Sequence, residues 1–211
     1  MADNYLEKKF EQLGGGKTVV LRKSYPSLDT LLHRTRSCRS YDSSYMPDRN
    51  MLEKIVAVNT LLPSAMNRQA LRFRPVTGEE MDAVKPLLHM GAALPGEQIP
   101  QPGKEPTACI VVCAGVEEDR WMDIDLGISL HAMALRATEL GLASCIVGSC
   151  EPAALRQALS LELQPLAVLA LGRGDGSIFL KPVEAGESLK YYRKEGVHYV
   201  PKLRLEDIIL K

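Results

Sequence analysis

The segment Ala108-Cys109-Ile110-Val111-Val112-Cys113-Ala114 is a continuous run of seven apolar side chains. A strand that is buried on both of its faces has this composition, because neither face needs polar residues for contact with water. The segment is therefore predicted to be an interior strand. It places a sheet, rather than a bundle of helices, at the centre of the fold.

Further strands and helices are predicted on both sides of this run. Leu71–Val76 alternates apolar and polar residues, which is typical of a half-buried strand, and two more strands are predicted at 143–147 and 166–171. Helices are predicted after Ser27 and Asp48, each of which can cap a helix, and at 79–89, 119–140 and 151–159. A chain that mixes strands and helices in this way indicates α+β or α/β layers.

The predicted helix over residues 119–140 is apolar on most of its sides, and Gly141 terminates it. A helix that is apolar nearly all round is buried, so this one is expected to be central or to lie at a subunit interface.

The two ends of the chain and one internal loop are expected to differ from this layered part. Residues 1–26 are predicted to form an N-terminal arm, with a short helix at 3–13 and a short strand at 19–21, and residues 27–211 a single domain. The loop over 91–106 is rich in glycine and proline and is expected to be a lid or a mobile excursion. The apolar C-terminal residues 205–210 are expected to dock on another surface.

Charge and composition exclude several functional classes. The 26 basic residues equal the 26 acidic ones, which argues against nucleic-acid and membrane-surface binding. The chain contains no apolar run of about 18 residues that could span a membrane, and its first residues lack a secretory core, so a cytoplasmic location is expected. The four histidines and five cysteines lack the spacing of metal ligands, so no metal site is predicted.

Three arginines surround a serine directly after the first helix. Arg34, Arg36 and Arg39, together with the hydroxyl of Ser37, have the chemistry to bind a phosphate dianion. The alternative is a basic turn that is merely solvated. Cys38 lies between these arginines, so it is either a thiol of lowered pKa or a small filler residue.

Two other groups of polar residues are candidate ligand contacts. Asn67 and Gln69 lie in a loop after Pro63, and their amides either pair with the edge of a heterocycle or satisfy the loop backbone. Lys202 and Arg204 form a second basic pair near the C-terminus.

Taken in order along the chain, these elements resemble the FMN-dependent nitroreductase family over residues 28 to 211. The resembling segments are Arg36–Arg39, Pro63–Gln69, Asp125–Ile128, Glu139–Gly148, Leu169–Gly172 and Pro201–Arg204. The chain departs from the family pattern at three places, one of which is Arg173-Gly174 in place of Tyr-Pro after Leu171-Gly172. Thr35-Arg36 replaces a pair of arginines, which leaves open whether Arg34 or Arg36 meets the phosphate. Gln69-Ala70-Leu71 replaces Gln-Pro-Trp, and the aromatic wall is lost.

The resemblance implies an α+β fold with a central, mostly antiparallel sheet flanked by helices. It implies a homodimer in which the C-terminal tail extends onto the partner subunit and in which FMN lies at the interface. The residues that it assigns to the cofactor are Arg34, Arg36, Ser37, Arg39, Pro63, Ser64, Ala65, Asn67, Gln69, Ile146, Val147, Gly148, Ser149, Lys202 and Arg204.

Within that set the resemblance implies distinct roles. Arg34 or Arg36 and Ser37 would face the phosphate and ribityl chain, with Lys202 and Arg204 completing a phosphate clamp. Arg39 would lie near the pyrimidine edge of the flavin. Ser64 and Asn67 would come from the partner subunit, and the backbone of Gly148 and Ser149 would face the O4/N5 edge.

The function implied by the resemblance is ping-pong hydride transfer from NAD(P)H through FMN to a nitroaromatic, a quinone or a related small electrophile. No catalytic side chain is assigned, because the cofactor supplies the chemistry. The alternatives are an FMN-dependent reductive dehalogenase or flavin-modifying enzyme, and a flavin-binding protein without turnover. The acceptor pocket is expected to involve residues 91–106 and the partner subunit.

Overall fold

A computed structural model describes residues 26–92, 94, 96–117 and 119–210. The helix predicted at 3–13 and the strand predicted at 19–21 lie outside the described residues, and the division between arm and domain at residue 27 stays a prediction. None of the helices described is long and apolar enough to cross a membrane.

A four-stranded antiparallel sheet forms the centre of the molecule. Its strands are β1 (Leu71–Thr77), β2 (Ala108–Ala114), β3 (Ala143–Val147) and β4 (Gln164–Gly172), in the spatial order β1-β2-β4-β3. Each neighbouring pair is antiparallel. Every residue of β2 is buried, as its apolar sequence predicts, because β1 and β4 flank it and helices cover both faces of the sheet.

Helices cover the two faces of this sheet in separate layers. On one face lie α1 (Leu28–Arg34), α2 (Arg49–Val56) and α4 (Arg120–Glu139), and the core there includes Ile110 and Met133. On the other face lie α3 (Glu80–Val84) and α5 (Pro152–Ala158), packed against Val111. The predicted α+β class with a mostly antiparallel central sheet is confirmed.

The helix predicted at 79–89 is shorter than expected. α3 ends at Val84, and a 3₁₀ turn follows at Lys85–Leu87. The physical reason is Pro86, which has no backbone N–H to continue the α-helical hydrogen bonds.

The long helix α4 is only partly covered in the single chain. Asp119 caps it by accepting the Met122 N–H at 2.8 Å, and Met122 and Met133 are fully buried. Trp121 and Ile124, by contrast, are exposed by 52% and 42%. The helix is therefore central, as predicted, and carries one apolar face that the other described residues leave exposed.

A second, smaller sheet follows the central one along the chain. It contains β5 (Ser177–Val183), β6 (Tyr192–Lys194) and β7 (Val197–Leu203), in the order β5-β7-β6, and the short helix α6 (Leu205–Ile208) ends it. These strands were not predicted: β6 and β7 form a hairpin, and β5 pairs in parallel with β7, with Ser177 opposite Val197 and Val183 opposite Leu203. The apolar residues of the tail, Leu205, Ile208, Ile209 and Leu210, are exposed.

Candidate functional site

The basic turn at residues 34–39 is attached to the edge of the central sheet. The Cys38 N–H donates to the Ser144 carbonyl of β3 at 2.8 Å. Tyr41 lies fully buried beside the turn, and its hydroxyl donates to the Cys38 carbonyl at 2.8 Å. Gly172 leaves room for that ring, because a Cβ there would come within 2.9 Å of Tyr41 Cδ1. The turn is thus held from the sheet and from the core.

The arginines of this turn differ in their surroundings. Arg34 ends α1 and is exposed, whereas Arg36 is half-buried and donates from Nη2 to the Leu32 carbonyl. The Nε of Arg36 is buried and has no hydrogen-bond partner among the described residues, and burial lowers the pKa of its guanidinium. Arg39 donates to the Ser37 carbonyl at 3.2 Å and lies 4.9 Å from the Tyr191 ring centre.

Neither Arg36 nor Arg39 forms an ion pair with any carboxylate in the described part of the chain. Two cations of one turn that lack counter-charges among the described residues favour an anionic ligand, because such a ligand would supply hydrogen bonds and charge.

Cys38 itself has the character of a structural residue. Its thiol is buried and lies 3.0 Å from the Ser40 carbonyl. Burial raises the pKa of this thiol in spite of the neighbouring Arg39, so the thiolate needed for nucleophilic attack is disfavoured. Of the two alternatives, the geometry favours the small filler residue.

A cavity of about 500 Å³ opens beside the basic turn and is lined by Ser37 and Arg39. Its other walls come from the loop that contains Glu97 and Lys104 and from the turn between β6 and β7. Lys104 pairs with Asp175, and Glu97 lies 3.5 Å from the guanidinium of Arg193. Part of the 91–106 loop therefore lies against the basic turn, and its role in an acceptor pocket stays a prediction.

His198 also lines this cavity, and sequence reasoning missed it. It is 8% exposed, its Nε2 has no hydrogen-bond partner, and its ring packs 5.0 Å from that of Tyr191. Burial, with smaller contributions from Arg39 and Arg193, lowers the pKa of the imidazole. The spacing of the histidines in the sequence could not indicate this position. β7 brings His198 close to the basic turn, although the two are far apart in the chain.

The C-terminal basic pair lies elsewhere in the small sheet. Lys202 stands opposite Pro182 in the pairing of β7 with β5, and Arg204 pairs with Glu184 at 2.9 Å. Among the described residues that line the 500 Å³ cavity, neither Lys202 nor Arg204 is present. Their part in a phosphate clamp stays a prediction.

The loop at residues 63–69 lies on a different side of the fold, and its backbone is strained. Met66, Asn67 and Gln69 have φ angles of 52°, 53° and 47°, in the left-handed region. For residues other than glycine this conformation costs on the order of 1–3 kcal/mol each, although asparagine tolerates it better. Pro63, Ser64 and Gln69 line a second cavity of about 440 Å³, between α2, β1 and α4.

Two carboxylates of the α4 region hold this loop. The Ala65 N–H donates to both oxygens of Asp125, at 3.0 and 3.2 Å. Arg68 forms a forked pair with Asp119, at 2.8 and 3.0 Å, and chiefly this contact lowers the pKa of Asp119 to about 2. Met66, Asn67 and Gln69 point their side chains outward and are exposed, whereas Ala65 and Arg68 are half-buried.

The segment after β3 completes the set of predicted site residues. Val147 is buried in the sheet, and Ile146 is 46% exposed. Gly148 and Ser149 follow β3 as exposed residues, and the Ser149 carbonyl accepts the His89 N–H at 2.9 Å. The structure brings this segment, through β3, to the same sheet edge that holds the basic turn.

Comparison with known proteins agrees with this arrangement. The fold supports a flavin-dependent oxidoreductase in general. The chain belongs to the nitroreductase family, whose family model matches residues 32–173. A comparison with curated proteins found no match.

Solved structures of the same fold include three from different bacteria. A nitroreductase family protein from Clostridium difficile 630 is 27% identical, with 68% of this chain and 82% of that chain covered and a TM-score of 0.53. One from Streptococcus pneumoniae TIGR4 is 15% identical, with 88% and 100% covered and a TM-score of 0.63. The FMN and NADPH-dependent nitroreductase NfnB from Sphigopyxis sp. strain HMH is 20% identical, with 71% and 89% covered and a TM-score of 0.57.

Proposed function

We propose that this protein is an FMN-dependent oxidoreductase that transfers hydride from NAD(P)H through FMN to a nitroaromatic, a quinone or a related small electrophile. The observation that carries the proposal is Arg39, which lines a cavity of about 500 Å³ and forms no ion pair with the described residues; Arg36 lies in the same turn, three residues earlier in the chain. When bound, FMN supplies the capacity to accept hydride and pass electrons on.

The residues of the basic turn fit a phosphorylated flavin. The buried Nε of Arg36 lacks a partner, and a phosphate oxygen is an acceptor that would satisfy it. The hydroxyl of Ser37 is a second donor at the cavity. Arg39 would place positive charge beside the flavin ring, which favours an anionic reduced ring. Lys202 and Arg204 belong to the proposal as further phosphate contacts.

The proposal also includes a homodimer in which the 63–69 loop faces the partner's flavin. The exposed side chains of Trp121, Ile124 and Ile128 lie on one face of α4, and Leu28 and Leu32 of α1 are exposed as well. Exposed apolar patches of this kind mark protein interfaces. NfnB is described as dependent on FMN and NADPH, and this supports the same cofactor and electron donor here.

The first experiment is an absorption spectrum of the purified protein after incubation with FMN and desalting. We expect flavin bands at about one FMN per subunit, and bleaching when NADH or NADPH is added without oxygen. Arg39→Ala should lose most of the bound flavin, since hydrogen bonds to charged groups contribute about 1.5–3 kcal/mol each.

Arg173→Ala is the matched control. Arg173 stacks 4.0 Å over the Tyr45 ring and does not line the cavity, so its removal should leave flavin binding intact. A wild-type protein that retains no FMN would contradict the proposal. Retained FMN that neither NADH nor NADPH reduces would instead favour a flavin-binding protein without turnover.

A further inference from the structure

The backbone of the 63–69 loop needs external support to keep its conformation. Three of its residues, Met66, Asn67 and Gln69, adopt left-handed φ angles although none is glycine. A strained segment of this kind persists only where surrounding contacts determine it. Contacts from other parts of the molecule must therefore hold this loop and fix what it presents to a ligand.

The supporting contacts come from α4 and from the residue that caps it. Asp125 is 5% exposed and accepts the Ala65 N–H with both carboxylate oxygens. Asp119 forms the forked pair with Arg68. The contact at Ala65 precedes the strained residues, and the contact at Arg68 lies among them. The loop is therefore held at two points, by α4 and by the residue that caps it.

Asp125 differs from the carboxylate of an ordinary ion pair. Within the described part of the chain it forms no ion pair within 4 Å. A buried carboxylate costs free energy unless its hydrogen bonds repay that cost. The bond to the Ala65 N–H is its direct link to the loop.

We propose that Asp125 is a positioning residue that acts through the Ala65 backbone to hold the amides of Asn67 and Gln69 in the orientation that contacts the flavin. Gln69 Nε2 donates to Asn67 Oδ1 at 3.1 Å, so the two amides form one unit whose direction follows the loop backbone. Releasing Ala65 reorients both amides together. This inference rests on the proposed function.

The test compares Asp125→Ala with Asp125→Asn in the full-length protein loaded with FMN. Asp125→Ala should release FMN about tenfold faster, as expected for the loss of a hydrogen bond to a charged acceptor. Asp125→Asn keeps an acceptor oxygen for the Ala65 N–H and should restore release to within about threefold of wild type. The flavin midpoint potential should shift in Asp125→Ala and return in Asp125→Asn.

Asp48→Ala is the control for a merely structural effect. Asp48 also accepts a backbone N–H with its carboxylate, from Met51 at 2.7 Å, but it caps α2 away from the loop. The Asp48→Ala substitution should lower thermal stability without changing the rate of FMN release or the flavin midpoint potential. Equal changes in the Asp48→Ala and Asp125→Ala proteins would overturn the proposal.

Amide hydrogen exchange at residues 64–69 without flavin separates this inference from the proposed function. Faster exchange in Asp125→Ala together with faster FMN release supports it. Unchanged exchange overturns it, and so does faster exchange with unchanged FMN release. Wild-type protein that binds no FMN overturns the proposed function itself and, with it, the flavin-facing role of Asp125.

Discussion

The basic turn at residues 34–39 and the polar loop at 63–69 are built on opposite principles. In the turn the backbone is held by ordinary hydrogen bonds to Ser144 and Tyr41, and Arg36 and Arg39 have no counter-charge among the described residues. In the loop both Nη atoms of Arg68 pair with Asp119, and the backbone carries the strain. An anion can be bound by unpaired charge alone, whereas a neutral heterocycle edge requires amides in a fixed direction.

The largest expected effect removes the support of the basic turn. Tyr41→Ala deletes a fully buried ring and should lower the free energy of unfolding by about 3–5 kcal/mol, measured by denaturant titration. Tyr41→Phe removes only the hydroxyl that bonds to Cys38 and should cost about 1–3 kcal/mol. Tyr45→Ala, at a half-buried tyrosine, is the control. A free energy of unfolding that falls no further in Tyr41→Ala than in Tyr45→Ala would contradict this expectation.

A smaller effect should distinguish the two arginines that could meet the phosphate. Arg36 has the buried, unpartnered Nε, whereas Arg34 is exposed, so we expect Arg36 to bind the phosphate. Arg36→Ala should reduce the preference for FMN over riboflavin about tenfold, because riboflavin lacks the phosphate. Arg34→Ala should reduce it less. Dissociation constants from flavin fluorescence quenching measure both, and the reverse order would assign the phosphate to Arg34.

Relieving the backbone strain of the loop should raise the stability of the protein. Met66 has a φ of 52° and is 81% exposed, so Met66→Gly removes strain and little packing. The free energy of unfolding should rise by up to about 1 kcal/mol. Ala65→Gly is the matched control and should lower stability, since Ala65 has no left-handed φ to relieve. A loss of stability in both variants would argue against stored strain.

The smallest expected effect is a dependence of stability on pH at the ion pair that holds the loop. Its pairing with Arg68 holds the pKa of Asp119 at about 2, below the ordinary value of 3.8. The carboxylate therefore stabilises the fold fully above about pH 4, and this contribution is lost as the pH falls through about 2. Urea titrations of wild type and Asp119→Asn should converge over that range. A difference between wild type and Asp119→Asn that stays constant down to about pH 2 would contradict this expectation.

The sequence predicted the sheet better than the contacts around it. β2 is apolar throughout, β4 is apolar after Gln164, and α4 has a capping aspartate and a terminating glycine, so local pattern suffices for them. In the small C-terminal sheet β6 and β7 form a hairpin at Glu195-Gly196, whereas the parallel pairing of β5 with β7 leaves no local signal. The contacts that hold the 63–69 loop are equally hidden, because Arg68 and Asp119 are 51 residues apart in the chain.

For the same reason the basic turn could be selected from its residue types, whereas His198 could not. Three arginines around a serine carry their chemistry in the sequence itself. The importance of a lone histidine depends on which cavity the fold brings it to.

The exposed face of α4 contains the only tryptophan of the chain, Trp121. It lies two residues after Asp119 and four before Asp125, the two carboxylates that hold the loop. Tryptophan fluorescence therefore monitors a single place in this molecule. Its emission reports whether water or another protein surface surrounds the indole, and it does so at the helix from which the loop is supported. Dilution of the native protein would consequently act as an optical titration of that face, without any added label.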